Sequence, residues 1–228
     1  MSLKITWLGH GGWSIKTAEH TILLDPFLTD CPTATESADS IAADFILVSH
    51  GHFDHIADVP AIAKRTGAQV VAIFEIAQWL EKNHQVEGSI GMNIGGAIDL
   101  AFGNVKMTQA IHSSQLPDGS YGGEPAGFVL TMDGKRIYFA CDTGLFSDMQ
   151  MIAAGGLDLA VLPIGDLFTM GITDSIAATL MLQPTKVAPA HYGTWPPIEQ
   201  DADAWAERIK SDTSAVPLVP KVGEPFEI

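Results

Sequence analysis

Only two cysteines, Cys31 and Cys141, occur in 228 residues, and no C-x-x-C spacing joins them. That excludes a disulfide framework, and both read as free thiols. Positive charge is also scarce: 12 Lys and Arg stand against 27 Asp and Glu, a net −15. Such a surface repels polyanions and membranes rich in anionic lipid, so no nucleic-acid partner is expected. No apolar run approaches the roughly 20 residues needed to span a bilayer. The opening MSLKITWLGH enters a strand pattern at once, without a signal-peptide layout. The expectation is therefore a cytoplasmic chain with no membrane partner. Repeats, low-complexity tracts and linkers rich in Gly, Ser or Pro are missing too, so residues 1–228 are expected to form a single domain.

What is present is an ordinary globular composition, 46% hydrophobic and 17% charged. KITWL, WSIKT and TILLD, separated by Gly-rich or polar turns, read as an antiparallel meander. DFILVSH follows as a buried strand, then helix ADVPAIAKRTG, strand AQVVAIF and helix EIAQWLEKN. The middle is β-rich again, with AIDLAF, VKMTQAIH, GFVLTMD and KRIYFACD. The last third alternates: helix SDMQMIAAGG, strand LDLAVLPIG, helix DSIAATLMLQ, strand KVAPAH, helix DADAWAERIKSD and a short closing AVPLVP. Strands followed by α/β alternation, twice over, predict two sheets packed face to face with helices outside. The expected class is α+β, a four-layer αββα sandwich.

Ionisable residues recur where strands end: Asp25 after TILL, His50 after FILVS, His112 after MTQAI, Asp142 after IYFAC and His191 after VAPA. Strand ends are rigid mounts, and several on one rim can converge on a point. The densest group is H-x-H-x-D-H, formed by His50, His52, Asp54 and His55. Imidazole and carboxylate suit a borderline divalent ion such as zinc. In an irregular turn, residues two apart can face the same way, so His50 and His52 could grip one ion while Asp54 and His55 turn to a neighbouring point. Read alone, His112 and His191 are equally well strand-end histidines, and Asp142 could simply begin a turn.

The motif and the later single His, Asp and His resemble the metallo-β-lactamase superfamily of metal-dependent hydrolases over essentially the whole chain. TWLGHGGWSI, LLDPFL, LPIGDLFTMG and HYGTWPP are similar to a small cytoplasmic branch of hydrolases related to the ascorbate-6-phosphate lactonase group. The resemblance implies His50, His52 and His112 on one metal, Asp54, His55 and His191 on a second, and Asp142 bridging. It implies two divalent ions, zinc first with manganese or iron acceptable, holding a hydroxide that attacks a small ester, lactone or phosphoester. Asp54 would then both ligate and orient the nucleophile.

Around these, the resemblance marks Asp25 as an acid behind a ligand histidine, although an Asp before Pro26 also starts turns. His10 in LGHGG is a candidate catalytic residue, for acid chemistry or substrate contact, or else a packed histidine. Asp166, Tyr192 and Trp195 could shape the pocket or serve only the fold. Asp58 reads as a helix cap, and His20 and His84 as solvated. His52 stands where flavin-coupled di-iron relatives carry Glu, which disfavours redox chemistry. Two other functions compete: a phosphodiesterase or nuclease, and a non-catalytic metal-binding module. The expected partner is a small-molecule substrate, with a homo-oligomer open.

Overall fold

The computed structural model describes residues 3–228. β1 (Lys4–Gly9), β2 (Gly12–Lys16) and β3 (Thr21–Leu24) form the antiparallel meander. β4 (Phe45–Leu47), β5 (Gln69–Ile73) and β6 (Ile90–Met92) extend it in parallel. The second half repeats the plan. β7 (Ala97–Leu100), β8 (Gly103–Gln109), β9 (Ala126–Met132) and β10 (Lys135–Phe139) are antiparallel neighbours. β11 (Leu159–Pro163), β12 (Lys186–Ala190) and β13 (Val216–Pro217) continue in parallel. β14 (Pro225–Glu227) then crosses back to pair with β1, giving seven strands in each sheet among the described residues.

Parallel neighbours require crossovers; the loop 25–44 makes the one from β3 to β4, and helices supply the others. α1 (Phe53–Ile56) and α2 (Val59–Thr66) join β4 to β5, and α3 (Phe74–His84) joins β5 to β6. α4 (Met149–Ile152), α5 (Ile172–Leu182) and α6 (Ala202–Asp212) connect the parallel strands of the second sheet. The sequence places their ends. Gly67, at φ 75°, closes α2 with its N–H on the Ala63 carbonyl, and the Asp201 carboxylate caps α6 by accepting from Ala204 N at 2.9 Å.

Between the sheets lies one apolar layer, with Ile5, Trp13, Ile15 and Ile22 of the first facing Phe128, Leu130, Ile137 and Phe139 of the second. Each such aliphatic side chain or phenylalanine contributes about 1.5–3 kcal/mol on full burial. A second cluster packs Tyr138, Leu162 and Val187 under α5 and α6, where Trp205 Nε1 donates to Ser175 Oγ at 3.1 Å. With helices outside both sheets, this is the expected four-layer sandwich.

Some expectations shift. β6 and β14 are three residues each, too short to show a period in the sequence. The helix expected over SDMQMIAAGG shrinks to the four residues of α4, because Gly155 and Gly156 leave helical space at φ 95° and 82°. Asp58 stands at the N-cap position of α2 but does not cap it. Its carboxylate instead accepts from Leu28 N at 2.7 Å, Thr29 N at 2.9 Å and the Thr29 hydroxyl, pinning the loop after β3. His84 is half-buried, its ring 4.2 Å from that of Trp79, and His20 lies against Phe45 at 5.7 Å, so neither is a freely solvated histidine.

Candidate metal centre

The strand ends meet on one rim between the sheets. β4 continues its pairing through Val48 N to the Val71 carbonyl, and His50 follows two residues later. α1 then turns Asp54 and His55 inward. His112 lies past the end of β8, in a loop tied to the Asp142 loop by Ile111 N donating to Thr143 Oγ1 and Gly144 N to the Ile111 carbonyl, both at 2.9 Å. Asp142 follows β10 and His191 follows β12.

The chain must bend sharply to bring these ends together. His10, Asp25, Cys141 and His191 all carry positive φ, at 51°, 43°, 55° and 53°. Such values are uncommon for residues with a side chain and concentrate where function constrains the backbone. A backbone bond closes the seam between the sheets, from His191 N to the His10 carbonyl at 3.1 Å. Gly11 leaves room for a ligand ring, since a methyl group there would lie 2.7 Å from His55 Cε1.

Buried hydrogen bonds fix the rings. Asp25, fully buried, accepts from Ser49 N at 2.8 Å, Ser49 Oγ at 2.5 Å and His55 Nδ1 at 2.9 Å. A carboxylate only accepts, so His55 carries its proton on Nδ1 and turns Nε2 toward the centre. With its own proton given to Asp25, the Ser49 hydroxyl accepts from His50 Nδ1 at 2.9 Å, and His50 Nε2 also faces inward. His10 donates from Nε2 to Asp54 Oδ2 at 2.9 Å and accepts at Nδ1 from Thr194 Oγ1 at 2.8 Å.

One carboxylate oxygen sits in the middle. Asp142 Oδ2 lies 3.0 Å from His191 Nε2, 3.4 Å from His55 Nε2, 3.6 Å from His112 Nε2 and 4.0 Å from His50 Nε2. Two groups flank it, each with ligand atoms within 4.8 Å of one another: His50, His52 and His112, and His10, Asp54, His55 and His191.

Electrostatics follow from burial and crowding. Burial lowers the pKa of His50, His52 and His112, so all three are neutral at pH 7, the form that ligates a metal. Burial also pulls His10 down to about 4 against the raising effect of Asp54. For His55, burial acts downward, but Asp142 and Asp25 prevail and hold it well above its ordinary value. Burial would raise the two carboxylates. The histidines around Asp142, and the His10 hydrogen bond with the His55 charge at Asp54, overcome it and lower both.

A divalent ion fits this donor set. Among the described residues, His55 Nε2 and both ring nitrogens of His191 are buried without a hydrogen-bond partner. Each such orphan costs about 1–3 kcal/mol. Inward-facing imidazole nitrogens around carboxylate oxygens are the chemistry of a zinc, manganese or iron site.

Asp166 stands apart: it is exposed on the 165–172 loop, and among the described residues no hydrogen bond joins its carboxylate to the cluster. Trp195 lines the cavity over the centre, whereas Tyr192 stacks on Trp7 at 5.1 Å. Sequence reasoning passed over Ser49, Thr143 and Thr194. The only signal they offered was a small hydroxyl close along the chain to a candidate ligand.

This centre, on this sandwich, defines a class. Residues 20–192 match the β-lactamase superfamily domain. The chain belongs to the metallo-β-lactamase superfamily, as one of its metal-dependent hydrolases. It is 48% identical over 208 residues to a UPF0173 metal-dependent hydrolase of Thermus thermophilus, covering 91% of this chain and 92% of that one. A UPF0173 metal-dependent hydrolase of Pelotomaculum thermopropionicum is 44% identical over 231 residues, covering 99% and 100%. Among solved structures, Igni18, a metallo hydrolase from the hyperthermophilic archaeon Ignicoccus hospitalis, superposes with a TM-score of 0.89 at 33% identity, covering 100% of this chain and 99% of that one. No helix among the described residues is long and apolar enough to cross a membrane.

Proposed function

We propose that the chain hydrolyses a small ester, lactone or phosphoester at a dinuclear centre. His50, His52 and His112 would hold one ion, and Asp54, His55 and His191 the other, with Asp142 shared. The observation that carries this reading is the position of Asp142 Oδ2, within 3.0–4.0 Å of Nε2 on four histidines drawn from both groups. Bound divalent ions supply a water of lowered pKa and polarise the oxygen of the scissile bond. Zinc is the first choice, with manganese and iron compatible with the same ligands.

The chain's own residues do the rest. Asp54 has a depressed pKa and remains ionised at neutral pH, so it is a weak base that orients the attacking water's O–H rather than keeping its proton. His10 is a positioning residue: its Nε2–H holds Asp54 Oδ2, and Thr194 fixes its tautomer. Asp25 and Ser49 aim His55 and His50, the outer-shell support that metal sites depend on. The substrate is a small molecule, and the net charge of −15 argues against a nucleic acid.

The test pairs metal content with rate. Reconstituted protein should bind two equivalents of metal by mass spectrometry, and Asp54→Ala should abolish turnover across a panel of lactones, thioesters and phosphodiesters. Less than one equivalent, together with rates untouched by Asp54→Ala, would falsify the proposal.

A further inference from the structure

The cavity over the centre has a floor and walls of opposite character. The floor is the ligand set. Above it a volume of about 440 Å³ opens, within the roughly 300–1,000 Å³ of small-molecule sites. Its walls are Phe53, Phe168 and Trp195, with Ser113 the one small polar residue among them. Phe53 is backed by Phe27 at 5.8 Å and lies 6.2 Å from Trp195, a continuous aromatic wall on one side. Phe168 comes from the 165–172 loop. Phe53 and Phe168 are 54% and 56% exposed, and their neighbours Ile111 and Leu167 are 50% and 65% exposed. Large side chains left uncovered together at a cavity mouth mark a surface that apolar matter covers.

Cations are missing from the same region. No Lys or Arg lines the cavity. The segments that build it, 17–63, 107–134, 137–185 and 187–207, contain neither residue. On the contributing strands, Lys106 lies mid-β8, six residues before His112, while Lys135 and Lys186 open β10 and β12, whose far ends carry Asp142 and His191. Five residues of strand put about 16 Å between those ends, beyond the roughly 8 Å range of unscreened charge. A phosphate or carboxylate held away from the metals would find no partner there, only the acidic field of the protein.

We infer that the site takes an uncharged substrate, with its carbonyl over the ligand floor and an aryl or alkyl group of several carbons against Phe53, Phe168 and Trp195. This rests on the hydrolase reading of the same centre and narrows its substrate class. Sugar phosphates and other anionic lactones are excluded as preferred substrates.

Binding and turnover are measured separately on metal-loaded protein. The unreactive N-butylphenylacetamide and its para-carboxylate are titrated by calorimetry. The neutral amide should bind with a negative heat-capacity change, the mark of apolar burial, and the carboxylate at least about tenfold more weakly. Phe168→Ala and Phe53→Ala should each weaken the neutral amide by about tenfold, the effect of uncovering part of one aromatic contact, with metal content unchanged. Equal or tighter binding of the carboxylate overturns the inference, and so does indifference to both variants. A change from dimer to monomer in Phe168→Ala with unaltered binding also overturns it, assigning the rim to a second copy. Butyl phenylacetate and a phenyl-substituted lactone are then assayed. If binding follows the pattern and neither is hydrolysed, the pocket assignment stands and the ester and lactone reading falls. If both are hydrolysed with no preference over anionic analogues, the pocket assignment alone falls.

Discussion

In the first sheet four candidate ligands come from six consecutive residues, His50 to His55, at the end of β4. In the second, His112, Asp142 and His191 arrive singly from the ends of three strands spread over 80 residues of chain. Both sheets follow the same plan of antiparallel strands continued in parallel. The difference lies in what holds the ligands still. The first set is braced from within its own sheet, by Asp25 and Ser49 at the ends of β3 and β4. The second is braced by loop-to-loop bonds and by left-handed turns at Cys141 and His191. A local cluster can be fixed by a few side chains, whereas a distributed one needs the whole sandwich.

The largest expected effect tests that asymmetry at the ligands. Asp142 faces both groups, so Asp142→Ala should empty the centre and reduce metal affinity by more than about 100-fold, above the range for outer-shell partners. His52→Ala should cost one ion and leave the other, read as metal per chain. Equal losses in the two variants would mean that the halves do not differ in this way. Next comes the brace: Asp25→Asn should weaken metal binding by about 10- to 100-fold in chelator competition, with the larger loss in the Asp54, His55 and His191 group.

A smaller effect belongs to the seam. His10 titrates near 4 when folded and near 6.5 when unfolded, so at lower pH the unfolded chain binds a proton that the folded one refuses. Stability of the metal-free protein is therefore retained above pH 6.5 and lost as pH falls toward 4. The His10 share is about 3–4 kcal/mol at most, from about 1.4 kcal/mol per pKa unit over the fall from 6.5 to about 4. Urea denaturation of wild type and His10→Asn at several pH values measures it. If the two lose stability in parallel, His10 is not the group responsible. The smallest change is Asp58→Ala, which strands the amides of Leu28 and Thr29 and should cost about 1–3 kcal/mol, with metal content intact. A metal loss there would make Asp58 part of the centre rather than the clasp of a loop.

The same contrast explains what could be read from the sequence. His50, His52, Asp54 and His55 are conspicuous because four ionisable residues crowd behind a buried strand, and the strand period and turn residues outline both sheets. His112, Asp142 and His191 are singletons: their places at strand ends could be read from the sequence, but their convergence depends on register and on the seam, so only the resemblance assigned them as ligands. Asp58 misled because a carboxylate before a helix has a local use, and its long-range partners at 28 and 29 have no sequence signature. Asp166 misled in the opposite direction: its motif placed it near the rim, but its side chain faces solvent. Ser49 and Thr194 are ordinary hydroxyls until the fold sets them against His50 and His10.

The bond from His191 N to the His10 carbonyl has a further consequence. It crosses between the sheets at the floor of the site, so this amide can exchange its hydrogen with solvent only when the sandwich parts there. One residue thus serves as a gauge of how often the two halves separate. Any ligand that binds only the closed form should slow its exchange by the factor that mass action sets, reporting occupancy of the centre without a turnover assay.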